Sequence, residues 1–138
     1  MKLVIDTNVV ISALVRDGFS RKIILYENIE LVSPEFSLKE IYKYKELILE
    51  KSGLTEEEFK NLLFAILSKI KIIPKSKYES FINKADELIG KIDPKDIPFL
   101  ALALSFQNDG IWSDDAHFKK QNKIKAWTTK EIISIISK

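Results

Sequence analysis

The sequence predicts an α/β protein built on a parallel sheet. Short apolar runs rich in β-branched residues recur along the 138-residue chain, and segments of helical periodicity lie between them. Strands that alternate with helices in this way are joined by crossover helices, which makes neighbouring strands parallel. Neither a repeat nor a low-complexity linker interrupts the pattern, so we expect a single domain over residues 1–138.

Local signals predict the amino-terminal elements. The run Leu3-Val4-Ile5 indicates a buried strand over residues 2–5, followed by a helix over residues 7–15. Ser20 is a suitable cap for a short helix that reaches Glu27. The other strands of this half are predicted at residues 30–32 and 70–73.

Two longer helices should separate the second and third strands. Ser33-Pro34 is typical of a helix start, with Ser as the cap and Pro in the first turn, so a helix is predicted over residues 34–51, with a stop at Gly53. Thr55-Glu56-Glu57-Glu58 is a capping-box pattern, which opens a helix to about Lys69.

The second half continues the alternation. Asp93-Pro94 opens a helix to about Phe106 that is apolar nearly all round, so it should be buried. Asn108-Asp109-Gly110 is a turn, and Thr128-Thr129-Lys130-Glu131 caps the last helix. The remaining predicted elements are a helix over residues 78–89, a strand over 111–113, a short helix from Asp114 and a strand over 124–127.

Composition narrows the classes of function. The chain has no Cys, which excludes disulfides, thiolate nucleophiles and Cys-based zinc sites. Its one His, His117, argues against His-rich metal sites and a His-dependent triad, and we expect it to be a surface or helix-packing residue. Lys and Arg total 22 against 20 Asp and Glu, which argues against nucleic-acid binding by overall charge alone. No membrane segment or signal peptide is recognisable, so we expect a cytoplasmic protein.

Four acidic positions break the local pattern, and Asp6 and Glu40 are the first two. Asp6 ends the first predicted strand, where it either caps the following helix or faces a ligand at the carboxyl edge of the sheet. Glu40 lies off the charged stripe of its predicted helix and aligns with apolar neighbours such as Phe36 and Tyr44. A carboxylate on that face requires compensation by an Arg or Lys, by a set of hydrogen bonds or by a metal ion, unless it lies at a wet cleft edge.

The other two positions lie in the second half. Asp96 falls in the first turn of the apolar helix, where acids are favoured by the helix dipole, but Asp93 already fills much of that role. Asp114 and Asp115 end a strand and precede a helix, as Asp6 does, and each alone could serve as a cap. Two such strand ends in one parallel sheet would bring their carboxylates to the same edge.

Four short motifs in order show a family resemblance: LVIDTNVVISAL, SLKEI, DIPFLALAL and IWSDDAHF. With these motifs the chain resembles the PIN-domain nucleases, the family that includes the VapC-type toxins of toxin–antitoxin pairs. The acids of that family map onto Asp6, Glu40, Asp96 and Asp115, with Asp114 as an ambiguous neighbour of the last. Its small polar positions map onto Asn8 and Ser113, while a second acid common in the family is replaced here by His117.

The resemblance implies a three-layer α/β/α sandwich with a central parallel sheet in the strand order 3-2-1-4-5, often dimeric. It also implies cleavage of single-stranded RNA that depends on Mg²⁺ or Mn²⁺. Hard oxygen ligands suit these ions. On this hypothesis Asp6 and Asp96 bind the metal directly, and Glu40 and Asp115 bind through water or complete a second site. A metal-activated water would attack the phosphate, and Asn8 and Ser113 would orient carboxylates or waters.

Other features of the sequence give only weak support for RNA as the substrate. Five lysines follow the last acid and are candidates for phosphate contacts, although ordinary solvated lysines explain each one: Lys119, Lys120, Lys123, Lys125 and Lys130. Trp112 and Trp127 fall in predicted strands, and we interpret them as core residues. The helices predicted near residues 54–70 and 78–89 have apolar faces, which either serve a homodimer or pack in the core.

Alternative functions remain open at this point. A non-catalytic PIN-like module that binds RNA or a protein is one of them. A phosphatase with an Asp nucleophile is less favoured, because such enzymes place a second acid two residues after the first, where this chain has Asn8. Within the nuclease hypothesis, the chain is either the toxin of a type II pair, with a cognate antitoxin partner, or an RNA-processing enzyme.

Overall fold

A computed structural model, which describes residues 1–137, has a five-stranded sheet at its centre. All pairings are parallel, and the order β3-β2-β1-β4-β5 confirms the predicted fold class and strand order. The strands are β1 (Lys2–Ile5), β2 (Glu30–Pro34), β3 (Ile70–Ile73), β4 (Ile111–Trp112) and β5 (Ala126–Trp127).

Helices cover both faces of the sheet and complete the α/β/α sandwich. They are α1 (Thr7–Val15), α2 (Phe19–Tyr26), α3 (Phe36–Lys43), α4 (Lys45–Ser52), α5 (Glu56–Leu67), α6 (Ile82–Ala85), α7 (Ile97–Ser105) and α8 (Thr129–Ile136). Alternate residues of β1 point to opposite faces, as the strand period of two requires. Leu3 and Ile5 join the core beneath α1, α2, α4, α5 and α8, whereas Val4 joins the core beneath α6 and α7.

Several sequence signals are confirmed. Thr55 with Glu58 and Thr128 with Glu131 form reciprocal capping boxes at the starts of α5 and α8. Gly53 ends α4 with a left-handed backbone (φ 71°), a conformation that favours glycine. Among the helices of residues 1–137, none combines the length and the apolar content that crossing a membrane requires.

The predicted helix over residues 34–51 is wrong in two respects. Ser33 and Pro34 belong to β2, because the neighbouring β3 extends the ladder as far as the Pro34–Ile73 pair. The Ser33 hydroxyl donates to the carbonyl of Ile5 (3.0 Å) rather than capping a helix. The helix also breaks at Tyr44, whose φ and ψ of −99° and 11° separate α3 from α4.

The predicted helix over residues 78–89 is largely irregular. Two 3₁₀ turns, Lys75–Lys77 and Glu79–Phe81, precede the single turn of α6, and a π-helical turn follows over Asp86–Gly90. Other boundaries also differ from the prediction. The helix α2 begins at Phe19 after Gly18, and α7 begins at Ile97 after a 3₁₀ turn over Pro94–Asp96. The strand β4 ends at Trp112, β5 is confined to Ala126–Trp127, and the segment after Asp115 is a 3₁₀ helix, Ala116–Lys120.

Candidate functional site

The candidate site lies at the carboxyl ends of β1 and β4. The strand order reverses direction between these two strands, which is where open α/β sheets leave a crevice for ligands. Asp6 follows β1 and Ser113 follows β4, and both side chains are buried. The Ser113 hydroxyl donates a 2.7 Å hydrogen bond to Oδ2 of Asp6, so the two strand ends are linked through their side chains.

A pocket of about 350 Å³ opens above this edge and is lined by five carboxyl groups. All four of the acids predicted from the sequence line it, and Asp93 joins them. Asn8 and Lys95 contribute the other hydrogen-bonding groups of the wall. The acidic members are Asp6, Glu40, Asp93, Asp96 and Asp115.

Asp6 is the most deeply placed acid, with 5% of its surface exposed. Burial is the largest cause and raises the pKa of Asp6, the hydrogen bond from Ser113 lowers it, and the charges of Asp96 and Glu40 raise it. The resulting pKa is about 7. The backbone amide of Asn8, in the first turn of α1, also lowers this pKa. Asp6 is the N-cap residue of α1, although no side-chain capping hydrogen bond of standard geometry joins it to the helix within residues 1–137. Asp6 therefore stands both at the helix start and in the pocket.

Glu40 extends from α3 into the same pocket. The hydroxyl of Thr7 donates a 2.7 Å hydrogen bond to its Oε1, and Thr7 itself is buried. Burial raises the pKa of Glu40, while the Thr7 bond and the positive charges of Lys95 and Lys43 lower it. Sequence reasoning missed Thr7, although its place directly after the strand-end acid was a usable signal.

Asp96 lies in the 3₁₀ turn Pro94–Asp96 that leads into α7. Asp93 takes the capping role, since its carboxylate accepts a 3.0 Å bond from the backbone amide of Lys95. Asp96 is thereby left facing the pocket with 7% of its surface exposed. Burial, and then the charge of Asp93, raise the pKa of Asp96 to about 6, and a hydrogen bond with His117 lowers it.

The adjacent acids Asp114 and Asp115 have different surroundings. Asp114 accepts bonds of 2.7 Å from both the backbone amide and the hydroxyl of Thr129, so it caps the approach to α8. Asp115 lines the acidic pocket, and it accepts a 2.9 Å bond from the amide of His117. The Ser113 hydroxyl also accepts from the amide of Asp115 (3.0 Å), which orients this segment. The geometry favours Asp115 as the pocket residue.

His117 departs from our expectation of a surface or helix-packing residue. Its Nδ1 lies 3.1 Å from Oδ2 of Asp96 and 3.2 Å from Oδ1 of Asp115. Asp93 Oδ2 is 3.9 Å away. The sequence signal was its position two residues after the last acid, where the resembling family often has a carboxylate. The turn before α7 and the 3₁₀ helix after β4 bring these side chains together.

The donor atoms of this site fit a divalent cation. Oxygen ligands predominate, and one ligand atom each from Asp93, Asp96 and His117 lies within 4.8 Å of the others. Burial and the mutual repulsion of the carboxylates raise the pKa values of Asp6 and Asp96. A divalent ion with oxygen ligands fits such a cluster and would offset this repulsion.

The lysines and tryptophans near the last acid do not line the pocket. Trp112 is fully buried and donates from its indole nitrogen to Thr129 (2.9 Å), in agreement with a core role. Lys119 bonds to Glu131 at 2.7 Å. The ammonium group of Lys125 lies 4.1 Å from the ring centroid of Trp127, which is only partly buried.

Comparison with known proteins agrees with the resemblance seen in the motifs. A family model described as PIN domain matches residues 4–135, which is nearly the whole chain. The matched range includes every residue of the acidic pocket. No curated protein matches the chain with significant similarity.

Proposed function

The chain belongs to the PIN domain family, and we propose on this premise that it is a metal-dependent endoribonuclease that cleaves single-stranded RNA. PIN domains have a nuclease-type fold, and RNA as the substrate is the finer part of the proposal. The observation that carries it is the convergence of Asp6, Glu40, Asp96 and Asp115 on one pocket at the switch point of the sheet. Acidic pockets of this kind serve phosphodiester hydrolysis through divalent ions.

The proposed cofactor is Mg²⁺ or Mn²⁺. Asp6 and Asp96 are assigned as direct ligands, because they are the two buried acids of the pocket. Glu40 and Asp115 are assigned to contacts through water or to a second ion. When bound, the ion makes water more acidic and offsets the charge that develops on the phosphate.

The protein's own groups hold this arrangement in place. The Ser113 hydroxyl fixes one oxygen of Asp6, and the Thr7 hydroxyl fixes one oxygen of Glu40. Asn8 is exposed on the wall of the pocket, where its amide is available to orient a water or the substrate. Because each hydroxyl donates to one carboxylate oxygen, the lone pairs on the other oxygen remain available to a cation.

The biological setting is also a proposal. We propose a single PIN domain that acts in the cytoplasm as a homodimer, either as the toxin of a type II pair with a cognate antitoxin or as an RNA-processing enzyme. Exposed aromatic residues on α2 and α5, with 79% of Tyr26 and 78% of Phe64 accessible, support an oligomer. Light scattering after size-exclusion chromatography measures the oligomeric state directly.

A cleavage assay on defined single-stranded RNAs tests the proposal. Wild-type protein should cut RNA with Mg²⁺ or Mn²⁺ and not with EDTA, and Asp96→Asn should lose the activity. Asp17→Asn is a matched control, because Asp17 is an exposed acid that does not line the pocket. If wild-type protein binds RNA without cutting it, and neither ion raises its melting temperature, the chain is instead a non-catalytic binding module.

A further inference from the structure

RNA must approach a pocket that repels it. The five carboxyl groups disfavour a phosphate nearby, so cations beside the pocket are needed to hold the rest of the nucleic acid. The lysines expected from the sequence do not line it, and two of them have partners inside the protein. Lys119 is bonded to Glu131, and Lys125 lies over the ring of Trp127.

A second cavity of about 110 Å³ adjoins the acidic pocket. Glu40, Tyr44 and Lys95 line both cavities, so the two share a wall. We call the second cavity the lysine cleft, and its lining residues are Phe36, Lys39, Glu40, Lys43, Tyr44 and Lys95.

The lysine cleft follows from the helix period and the break at Tyr44. Residues 36, 39, 40 and 43 share one face of α3, because each lies three or four positions from two of the others. Such neighbours on a helix lie about 5–6 Å apart. Lys43 is therefore one helical turn from Glu40 at the edge of the acidic pocket. Lys95 reaches the cleft from the turn before α7, beside Asp96.

The three lysines of the cleft have no acidic partner among the described residues. All three are exposed, and none of their ammonium groups takes part in the ion pairs of residues 1–137. Within residues 1–137, four other lysines do pair with a carboxylate: Lys2, Lys45, Lys84 and Lys119. Glu40 also lines the cleft and feels the charges of Lys43 and Lys95, so three lysines against one carboxylate leave a net positive charge directly beside the negative pocket.

The walls of the cleft are ordered by aromatic contacts. Phe36 packs edge-to-face on Phe99 with ring centroids 6.3 Å apart, which fixes the base of the cleft. The ammonium group of Lys43 lies 5.5 Å from the ring centroid of Tyr44, a cation–π distance. Tyr44 lines both cavities, and one of the cleft lysines is held near its ring.

We propose that the lysine cleft binds the RNA phosphate next to the one that occupies the acidic pocket, with Lys39, Lys43 and Lys95 as its contacts. The inference rests on the proposed nuclease function and adds where the substrate runs: from the pocket across Tyr44 and along α3. Glu40 and Lys43 are one helical turn apart, a separation that a single nucleotide of backbone spans. Because the cleft shares Glu40, Tyr44 and Lys95 with the acidic pocket, an RNA strand that is cut in the pocket runs directly past these lysines, whose point charges attract phosphate.

Binding of RNA without cleavage tests the proposal. The probe is a fluorescently labelled single-stranded RNA of mixed sequence, measured by anisotropy in EDTA at about 50 mM KCl, where electrostatic contacts are strong. The cleft variant carries Lys39→Gln, Lys43→Gln and Lys95→Gln, and each single substitution is measured beside it. The charge-matched control carries Lys120→Gln, Lys123→Gln and Lys130→Gln, which are exposed lysines outside both cavities.

The cleft variant should bind RNA at least roughly tenfold more weakly than wild type, and the control should bind within about twofold of it. The dependence of log affinity on log salt should become shallower by about 0.7 for each phosphate that the variant no longer neutralises. In the cleavage assay, the single cleft variants should raise KM more than they lower kcat. Circular dichroism melting should be nearly unchanged, because all six lysines are exposed.

Equal weakening in the two triple variants would overturn the proposal, since binding would then follow overall charge. Binding of poly-glutamate but not RNA by wild type would make the cleft a protein-docking surface, which also overturns it. If wild type cleaves RNA and the cleft variant binds and cleaves equally well, the cleft proposal is wrong and the nuclease proposal stands. If RNA binding depends on the cleft but no ion supports cleavage, the nuclease proposal is wrong and the cleft remains an RNA site.

Discussion

Asp6 and Asp96 face the same pocket, but different parts of the fold hold them. Asp6 follows the central strand β1, and its partner Ser113 follows the adjacent strand β4. Asp96 lies in a short turn before α7, and its neighbours are Asp93 and the imidazole of His117. Sheet geometry therefore positions the first acid, while side-chain contacts between irregular segments position the second.

Asp6 and Asp96 also differ in how far their pKa values are raised. Burial is the largest cause of the raised pKa at both, but Asp6 reaches about 7 and Asp96 about 6. The side chain of Asp96 has an imidazole partner that lowers its pKa, and the side-chain partner of Asp6 is a neutral hydroxyl. We expect a metal ion to relieve more unfavourable charge at Asp6 than at Asp96.

Asp6→Asn should have the largest effect. Metal-dependent cleavage should fall by more than about 100-fold, beyond the reduction of roughly 10–100-fold that removal of an outer partner causes. At neutral pH the metal-free protein should become more stable, by up to about 4 kcal/mol, because the charged form of Asp6 is disfavoured in the fold. Urea titrations of both proteins in EDTA measure this difference.

The pH dependence gives the sign of that effect. The pKa of Asp6 is raised on folding from 3.8 to about 7, so the folded state binds the extra proton between these pH values. Wild-type stability should thus decrease as pH rises through this window, and the advantage of Asp6→Asn should appear across it and vanish near the lower of the two pKa values. Parallel stability curves for the two proteins across the whole window would contradict the assignment.

Ser113→Ala should have the next largest effect, because it removes the hydrogen bond that the Ser113 hydroxyl donates to Asp6. Without the 2.7 Å bond the pKa of Asp6 should rise further, and the affinity for Mg²⁺ should fall toward the upper end of about 10–100-fold. Isothermal titration calorimetry with Mg²⁺ measures this change. The matched control is Ser33→Ala, which removes a hydroxyl equally buried in the neighbouring strand but bonded to a carbonyl, outside the pocket.

If Ser33→Ala weakens Mg²⁺ binding as much as Ser113→Ala does, the effect is a general loosening of the sheet edge. Ser33→Ala should lose about 1 kcal/mol of unfolding free energy, as is typical for one buried hydrogen bond, and Ser113→Ala about 2 kcal/mol, because its hydroxyl also accepts from the amide of Asp115. Only Ser113→Ala should reduce the ion affinity.

The contrast between the two acids explains what could be predicted from the sequence. Asp6 and Asp115 follow apolar strands, so a local pattern locates them, and the resemblance supplied the strand order. The two capping boxes were equally local, and both are present. Pro34 was misassigned because the Ser-Pro signal is local, whereas the extension of β2 depends on pairing with Ile73, far away in the chain.

Other residues of the site were missed for the same reason, because their partners lie far away in the chain. His117 was expected at the surface because its position after the last acid was the only signal, and the approach of Asp93 and Asp96 from a distant turn is not a local feature. Thr7 was passed over as a helix-start residue, since its partner Glu40 is 33 positions away. The break after Lys43, at Tyr44, was not predicted either.

His117→Asn should alter the ion preference of the Asp96 side. Imidazole nitrogen favours transition-metal ions over Mg²⁺, so its removal should reduce the ratio of Mn²⁺ to Mg²⁺ affinity by about tenfold. His117→Asp, which places an oxygen donor at the same position, should strengthen Mg²⁺ binding relative to Mn²⁺ binding. Calorimetric titrations of each ion measure the ratio without relying on activity.

An unchanged affinity ratio in both His117 variants would show that the imidazole does not bind the ion and serves only to orient Asp96. The Asp6 side provides the internal comparison, because Ser113→Ala should weaken Mg²⁺ and Mn²⁺ binding by similar factors. A hydroxyl bonded to a carboxylate has no preference between these two ions, whereas a nitrogen ligand does.

Thr7→Val should have the smallest effect, because Glu40 is only half-buried and water is available to replace the missing donor. We expect a reduction of about threefold in kcat/KM, below the range typical of fully buried partners, and a decrease of about 1 kcal/mol in stability. Thr7→Ser keeps the hydroxyl but removes the buried methyl group, so it should restore activity without restoring full stability. Recovery of activity in the Ser variant alone assigns the effect to the bond with Glu40, whereas equal reductions in both variants would show that the bond is not its cause.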